Sequence, residues 1–241
     1  MIALVSDIHG NLPAFEAVLA DIADTDAQAI WCLGDLVGYG AQPDECVALA
    51  ADRCDLCLAG NHDLGVLDRI DIADFSPPAA AAALWTRERA GADTLEFLGG
   101  LEPQLDGQAI DLYHASPRDP VWEYVLSTSQ ASECMDEMTG RVGAIGHSHV
   151  ALRFTRSDGS MTGEGVPAGS TLNVSEGTWL LNPGSVGQPR DGDPRAAWIL
   201  LDVERWTVEW RRTDYPIAEA AGAISAAGLP RSLGERLYIG Q

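Results

Sequence analysis

Every histidine of this 241-residue chain follows a short apolar run, and so do three residues with carboxylate or amide side chains. The histidines are His9, His62, His114, His147 and His149, and the three companions are Asp7, Asp35 and Asn61. A single buried imidazole is usually neutral and hydrogen-bonded, because desolvation disfavours its charged form. Independent core histidines would not all fall at the ends of apolar runs. The shared placement predicts that these side chains gather at one site.

Metal binding is the chemistry that such a set of side chains favours. Imidazole, carboxylate and amide-oxygen ligands together suit manganese, iron or zinc, whereas an all-oxygen set would indicate magnesium or calcium. Asp7 and His9 are two residues apart, so in an extended strand both would face the same ion. Asp35 stands alone after its run and can bridge two ions, because a carboxylate has two oxygens. We therefore expect two divalent transition-metal ions, with manganese first and iron or zinc as alternatives.

A pair of divalent ions would also explain how so acidic a chain could attract an anion. The formal net charge is −21. Two dications would add +4 and Asp7 with Asp35 would add −2, which leaves +2 in the pocket, and bound cations can dominate a local field. Such a pair can hold a hydroxide and the oxygens of a phosphoryl group. The negative chain argues against long nucleic acids as partners, since phosphate contacts require a basic surface.

The elements that would position these residues can be read from the apolar runs. Runs at 2–5, 29–33 and 56–59 each lead into a polar loop and then a helical pattern, which is typical of βαβ units with loops at the carboxyl ends of the strands. Runs at 109–113 and 142–145 lead directly to His114 and to His147. After residue 150, short runs separated by Gly, Asp and Ser turns predict antiparallel hairpins that complete a second sheet. Helices are predicted from residue 12, capped by Asn11, and at 79–90, 94–98 and 218–227. Without repeats or a long linker, residues 1–241 are expected to form a single domain.

Five ordered motifs resemble those of the calcineurin-like metallophosphoesterases. They are Asp7-Ile8-His9, Gly34-Asp35, Gly60-Asn61-His62-Asp63, His114 and Gly146-His147-Ser148-His149. Residues 181–202 further resemble the small prokaryotic phosphodiesterase branch. The resemblance implies an α/β sandwich of two central sheets with flanking helices, and a metal site at the strand ends.

The same resemblance implies a role for each residue of the site. It assigns one metal to Asp7, His9, Asp35 and His149, and the other to Asp35, Asn61, His114 and His147. His62 remains as a non-ligand that would act as the general acid and protonate the leaving oxygen, since the pKa of imidazole lies near neutrality. A metal-bound hydroxide would attack phosphorus in line.

One departure from the family concerns the loop after Asp35. The protein Ser/Thr phosphatases carry an acid and an arginine there, in a pattern resembling Gly-Asp-Tyr-Val-Asp-Arg-Gly. This chain reads Gly-Asp-Leu-Val-Gly-Tyr-Gly at residues 34–40. A phosphoprotein substrate is therefore disfavoured, and the group that orients His62 is left open, with Asp63 as its sequence neighbour.

The predicted activity is hydrolysis of a small phosphodiester such as a nucleotide, with a phosphomonoester as the alternative. A metal-stabilised binding scaffold without catalysis and a polynucleotide nuclease are the competing classes; the presence of His62 argues against the first and the acidic charge against the second. Arg118 and Arg190 are candidate phosphate contacts, because guanidinium matches phosphate geometry, or they form ion pairs with Asp119 and Asp191. Asn11 is a helix cap, a substrate contact or both. Trp122 and Tyr124, shortly after His114, are the candidate aromatic residues for stacking on a base.

The remaining features predict a cytoplasmic protein that does not act at a membrane. No run reaches the ~18 apolar residues that span a bilayer, and the first ten residues lack the basic region of a signal peptide. The five cysteines are scattered and include a lone Cys54-x-x-Cys57. They are given no function, since one such pair does not complete a zinc site.

Overall fold

The computed structural model describes residues 1–241 and contains two six-stranded sheets with helices on their outer faces. The strands are β1 (Ile2–Val5), β2 (Ala29–Cys32), β3 (Leu56–Cys57), β4 (Gln104–Leu105), β5 (Asp111–Tyr113), β6 (Val142–Ala144), β7 (Ala151–Ser157), β8 (Ser160–Gly165), β9 (Thr171–Asn173), β10 (Thr178–Pro183), β11 (Ala196–Asp202) and β12 (Thr207–Thr213). The helices are α1 (Leu12–Ala23), α2 (Pro43–Arg53), α3 (Asn61–Val66), α4 (Pro77–Arg87), α5 (Ala92–Gly99), α6 (Thr128–Glu137), α7 (Ile217–Ala226) and α8 (Arg231–Glu235), with 3-10 turns at Ile72–Asp74 and Arg236–Tyr238. The predicted two-sheet α/β sandwich is confirmed.

The strands after residue 150 are divided between the two sheets. The first sheet has the order β3-β2-β1-β11-β12-β9 and the second has the order β4-β5-β6-β10-β7-β8. The expectation that the late hairpins only complete the second sheet is therefore wrong. Strand β11 is buried along its whole length, so it needs a neighbour on each side, and it pairs antiparallel with β1 and with β12.

A hydrophobic layer between the sheets and a second one under the helices hold the sandwich together. Successive side chains of a strand point to opposite faces. Leu4 of β1 accordingly lies in the layer between the sheets with Ile199 and Trp210, whereas Val5 lies in the layer that packs against α1, α2, α7 and α8. A smaller cluster joins α6 to the outer face of the second sheet.

Helix starts follow local capping signals. Asn11 caps α1, since its Oδ1 accepts from the amide of Ala14 at 3.2 Å, as predicted. Helix α6 is missing from the sequence prediction, although Ser127 caps it through the amide of Gln130 at 3.3 Å. A Ser with Gln three residues later is a known start signal, so this helix could have been found. No helix in the structure is both long enough and apolar enough to cross a membrane.

The parallel strands bring the predicted site together. Strands β1, β2 and β3 run parallel in the first sheet, and β5 runs parallel to β6 in the second. All five strands precede the residues of interest in the sequence, and their carboxyl ends open onto the same side of the sandwich. The loops after them therefore meet at that edge of the sandwich.

The layer between the sheets gives a test of the fold. Ile199→Ala removes a fully buried side chain there, and we expect the free energy of unfolding to fall by about 2–5 kcal/mol. Ile239→Ala, at a residue that is 54% exposed, is the matched control and should change it by less than about 0.5 kcal/mol. Urea unfolding followed by tryptophan fluorescence measures both. A loss below about 1 kcal/mol for Ile199→Ala would contradict its placement.

Candidate metal centre

The backbone turns left-handed at most of the predicted ligands. The φ angles are 55° at Asp7, 52° at His9, 56° at Asp35, 62° at His147 and 59° at His149. The expectation that Asp7 and His9 continue a strand is therefore wrong: β1 ends at Val5, and the two side chains share a site because the chain turns at each of them. Left-handed backbone costs roughly 1–2 kcal/mol per L-residue, and it persists where the surroundings enforce it, often at functional sites.

One cluster of side chains joins the loops after β1, β2 and β6. Ligand atoms of Asp7, His9, Asp35 and His149 all lie within 4.8 Å of one another, and all four residues are buried. The Nε2 atoms of His9 and His149 are 3.0 Å apart. Asp7 Oδ1 lies 3.4 Å from His149 Nε2, and Asp35 Oδ2 lies 3.5 Å from His9 Nε2.

A second cluster shares Asp35 with the first. Ligand atoms of Asp35, His114 and His147 also lie within 4.8 Å of one another. His114 Nε2 is 3.7 Å from Asp35 Oδ2 and 3.3 Å from the Oδ1 atom of Asn61. The structure thus brings all seven predicted ligands together, with Asp35 between the two groups.

Hydrogen bonds to backbone carbonyls set the direction in which three of the imidazoles face. The Nδ1 atoms bond His9 to Val37 O at 2.9 Å, His114 to Leu33 O at 2.8 Å and His149 to Gln188 O at 2.6 Å. An Nδ1 atom that donates to a carbonyl leaves Nε2 with its lone pair, the arrangement usual for a metal-binding histidine.

Divalent ions fit the chemistry of this donor set. The Nε2 lone pairs of His9 and His149 point at each other, which is repulsive unless a cation accepts them. Asp35 Oδ2 and His147 Nε2 are buried without any hydrogen-bond partner, although such atoms are normally paired. Burial raises the pKa of Asp7 to about 7, and burial holds the pKa of His9 and of His149 well below the usual value. A bound cation would supply the positive charge that this buried cluster of side chains lacks.

Asp63 braces the loops that carry the centre. Its carboxylate accepts the backbone amides of Asp35 at 2.9 Å, Val37 at 3.1 Å and Gly60 at 2.9 Å. With both oxygens engaged in this way, Asp63 holds the β2 and β3 loops together and does not orient His62. Gly60 is also required for space, because a Cβ there would overlap the carboxylate of Asp35.

His62 is oriented by packing. Its ring centroid lies 4.9 Å from that of His9, 4.4 Å from that of Tyr39 and 4.7 Å from that of Phe75. Its Nδ1 atom is buried without a partner, next to Gly38, where a Cβ would overlap the ring. Burial, followed by the nearby charge of Arg190, lowers the pKa of His62 to about 3, so the imidazole is neutral before an anion binds.

The centre opens into a cavity of about 330 Å³. His62, Asn61 and His147 line it together with both of the predicted aromatic residues, Trp122 and Tyr124. The ring of Tyr124 lies 4.1 Å from that of His147, centroid to centroid. One wall of the cavity is therefore aromatic and adjoins the second ligand cluster.

Of the three predicted substrate contacts, only Arg190 lines the cavity. It does not pair with Asp191, which instead binds Arg212.

Arg118 lies elsewhere, because Glu123 at 2.8 Å and Glu133 hold its guanidinium. Asn11 is also outside the cavity lining. Its Oδ1 caps α1, and its Nδ2 donates to the carbonyl of Gly187 at 2.8 Å, so both ends of the amide are engaged within the protein.

The sequence prediction misses six residues that line the cavity, which are Tyr39, Asp74, Phe75, Ser76, Ala79 and Arg236. Tyr39 follows Asp35 by four residues in a glycine-rich loop, and its left-handed backbone (φ 57°) has no signature in the sequence. Arg236 lies near the carboxyl terminus, outside every motif. Only the folded chain brings it to the site.

Comparison with known proteins identifies the family. The sequence profile of the calcineurin-like phosphoesterase superfamily domain matches residues 1–205. The chain belongs to this superfamily. The resemblance that the five motifs indicate is thereby confirmed.

Two full-length relatives support the assignment. The chain is 38% identical to the uncharacterized protein MJ0912 of Methanocaldococcus jannaschii, over all of this chain and 98% of that protein. The crystal structure of a metallophosphoesterase from Sphaerobacter thermophilus is 36% identical, with a TM-score of 0.91 over all of this chain and 98% of that one. The hypothetical protein PH1004 from Pyrococcus horikoshii OT3, at 20% identity and a TM-score of 0.78, covers all of this chain and 99% of that one and shares the fold.

The contact between Gly38 and His62 gives a test of what orients the ring. Gly38→Ala should displace His62 and lower the turnover of a phosphate ester at least about tenfold, since small misplacements of a reacting group have large effects on rate. Gly159→Ala is the matched control: Gly159 also has a positive φ, 75° against 88°, but nothing lies within 4 Å of its Cβ position. Equal turnover in the two variants would show that packing at Gly38 does not position His62.

The shared carboxylate gives a test of the two clusters. Asp35→Ala should lose both metal ions, whereas His114→Ala should retain about one ion per chain, because only the second cluster contains His114. Asp158→Ala is the control, since Asp158 is exposed and has a similar φ of 50°. Metal content after reloading with manganese is measured by mass spectrometry. Two ions bound to Asp35→Ala would contradict a shared ligand.

Proposed function

We propose that this protein is a metal-dependent hydrolase of small phosphodiesters. The observation that carries the proposal is the pair of ligand clusters that share Asp35, with the non-ligand imidazole of His62 beside them in one cavity. Asp7, His9, Asp35 and His149 would hold one divalent ion, and Asp35, Asn61, His114 and His147 the other. When bound, such ions supply positive charge for the phosphoryl oxygens and lower the pKa of water.

The chain's own contribution to the reaction is proton transfer from His62. The oxygen of a water molecule bonds to phosphorus and that water releases one proton to solvent, while the bond from phosphorus to the leaving oxygen breaks. A ring N–H of His62 donates its proton to the leaving oxygen, and the ring takes up a proton from solvent before the next turnover. Burial alone keeps the ring neutral, but an anionic phosphoryl group beside the ring favours the charged form. Tyr39 and Phe75 hold the imidazole in place through ring contacts at 4.4 and 4.7 Å.

The cavity supports a small substrate with an organic group on the phosphate. Its volume of about 330 Å³ lies at the lower end of the range of about 300–1,000 Å³ for small-molecule sites. Trp122 and Tyr124 offer aromatic surface next to the ligand clusters, where the second ester group of a diester such as a nucleotide can stack. A long nucleic acid is disfavoured by the net charge of −21.

Two further parts of the proposal concern the metal and the compartment. Four histidines, two carboxylates and one amide oxygen would suit manganese first, and iron or zinc as alternatives. All five cysteines are free thiols, as is usual in a reducing compartment, so we place the reaction in the cytoplasm.

The test uses metal-stripped protein reloaded with manganese, iron, zinc or magnesium. Bis(p-nitrophenyl) phosphate and p-nitrophenyl phosphate distinguish diester from monoester preference. We expect metal-dependent turnover with the diester preferred, and a fall of about 10²–10⁴-fold in His62→Ala with its metal content intact. A diester with an alkyl leaving group should show the larger fall, because a more basic leaving oxygen depends more on a proton donor.

The other outcomes identify the alternatives. Faster turnover of the monoester would make the protein a phosphomonoesterase. Two tightly bound ions without turnover of any ester would support a metal-stabilised binding scaffold. A similar fall in His62→Ala for aryl and alkyl leaving groups would argue against its role as the acid.

A further inference from the structure

Two guanidinium groups in the cavity have no carboxylate partner. Arg190 and Arg236 are the basic residues of the cavity lining, and no acidic side chain of the structure lies within 4.0 Å of either guanidinium. A neutral amide holds them together instead. The Oε1 atom of Gln188 accepts from Arg190 Nη2 at 2.9 Å and from Arg236 Nη1 at 3.2 Å, and Gln188 is 1% exposed.

This arrangement is costly for the protein by itself. Two like charges repel each other, and burial together with Arg190 lowers the pKa of Arg236. The chain has 36 acidic and 15 basic residues, yet a glutamine rather than a glutamate stands between these two arginines. A bound anion would offset the repulsion, because charge-assisted hydrogen bonds to guanidinium are among the strong ones.

The two arginines differ in how they are connected to the metal centre. Arg190 donates to the hydroxyl of Tyr39 at 3.1 Å, and the Tyr39 ring contacts both His9 and His62. Arg236, by contrast, donates a hydrogen bond only to Gln188. Arg236 therefore extends the positive region away from the reacting position.

The segment that carries Arg236 is fixed. Leu233 and Leu237 flank it in sequence and are buried in the main core. Four residues after Arg236, the carbonyl of Gly240 accepts the amide of Gly192 at 3.0 Å. That hydrogen bond connects the segment of Arg236 to the loop of Arg190. The backbone therefore fixes the two guanidinium groups relative to each other.

Several donors at this position are unused. Arg190 Nη1 and both Nε and Nη2 of Arg236 make no hydrogen bond within the protein, in contrast to Arg190 Nη2 and Arg236 Nη1. Tyr39 accepts from Arg190, so its own hydroxyl hydrogen is free to donate. A terminal phosphate has three oxygens and matches guanidinium geometry.

We propose that Arg190 and Arg236 bind a second phosphate group of the substrate, beyond the phosphoryl group that reacts. The inference rests on the proposed function and names its substrate class: phosphodiesters whose organic part carries a further phosphate. A single unpaired arginine would be enough for the reacting group. The second one, set further out, indicates a second anionic group.

The first experiment compares two substrates that differ only in that group. The p-nitrophenyl ester of thymidine 5′-phosphate is assayed with and without a 3′-phosphate, in the manganese-loaded protein. We expect kcat/KM to be about tenfold higher with the 3′-phosphate, which corresponds to about 1.4 kcal/mol. Arg236→Gln should remove most of this preference. Arg231→Gln, on the same terminal segment but 87% exposed and paired with Glu235, is the matched control and should keep it.

A binding measurement separates this inference from the proposed function. Calorimetry with inorganic pyrophosphate and with orthophosphate needs no turnover. Arg236→Gln should weaken pyrophosphate binding about tenfold more than orthophosphate binding. Arg231→Gln should leave the ratio of the two affinities unchanged. An unchanged ratio in Arg236→Gln, together with equal kcat/KM for the two esters in the native protein, would overturn the second phosphate site. Absence of any turnover with the expected binding ratio would instead overturn the esterase and leave the anion site standing.

Discussion

The centre depends on one buried carboxylate, that of Asp35. One of its oxygens accepts the backbone amide of His62 at 2.8 Å, and the other is unpaired and faces the ring nitrogens of His9 and His114. Burial, with Asp63 nearby, holds the pKa of Asp35 well above its usual range. Water cannot stabilise this charge, so the stabilisation must come from cations or from a proton. The two ligand clusters exist as one site only because this carboxylate is kept where they meet.

Keeping it there constrains the backbone around it. Gly60 must lack a side chain, and the chain must turn left-handed at Asp35 and at four other predicted ligands. Each of those turns is unfavourable alone. The hydrophobic layers on both faces of the first sheet, and the three amides bound by Asp63, provide the rigid surroundings that enforce them. A strained, polar centre is thus supported by an apolar sandwich that tolerates little rearrangement.

Charge is distributed in the molecule according to function rather than evenly. The surface carries the excess of acidic residues, and many arginines are held in ion pairs such as that of Arg212 with Asp191. At the cavity the pattern reverses, because Gln188 leaves Arg190 and Arg236 uncompensated. An acidic chain therefore places two unpaired guanidinium groups in a cavity whose lining also includes Asp35 and Asp74, beside an aromatic wall that includes Trp122. Field strength at a recess depends on the nearest charges more than on the net charge.

The sequence by itself determined the fold class, the family and the group of residues that meet. Apolar runs followed by polar loops place side chains at strand ends, and parallel strands bring those ends together whatever the details of the loops. Helix α1 and its cap at Asn11 were equally readable from local signals. The division of the late strands between the two sheets could not be read from the sequence. It depends on which strands pair with β11, and those strands lie far from it or beside it in the chain with no local signal that separates them. The left-handed turns at Asp7 and His9, the packing that orients His62, and the approach of Arg236 to Arg190 were decided only by the tertiary structure. Each of them depends on contacts between segments far apart in the chain, which carry no local pattern.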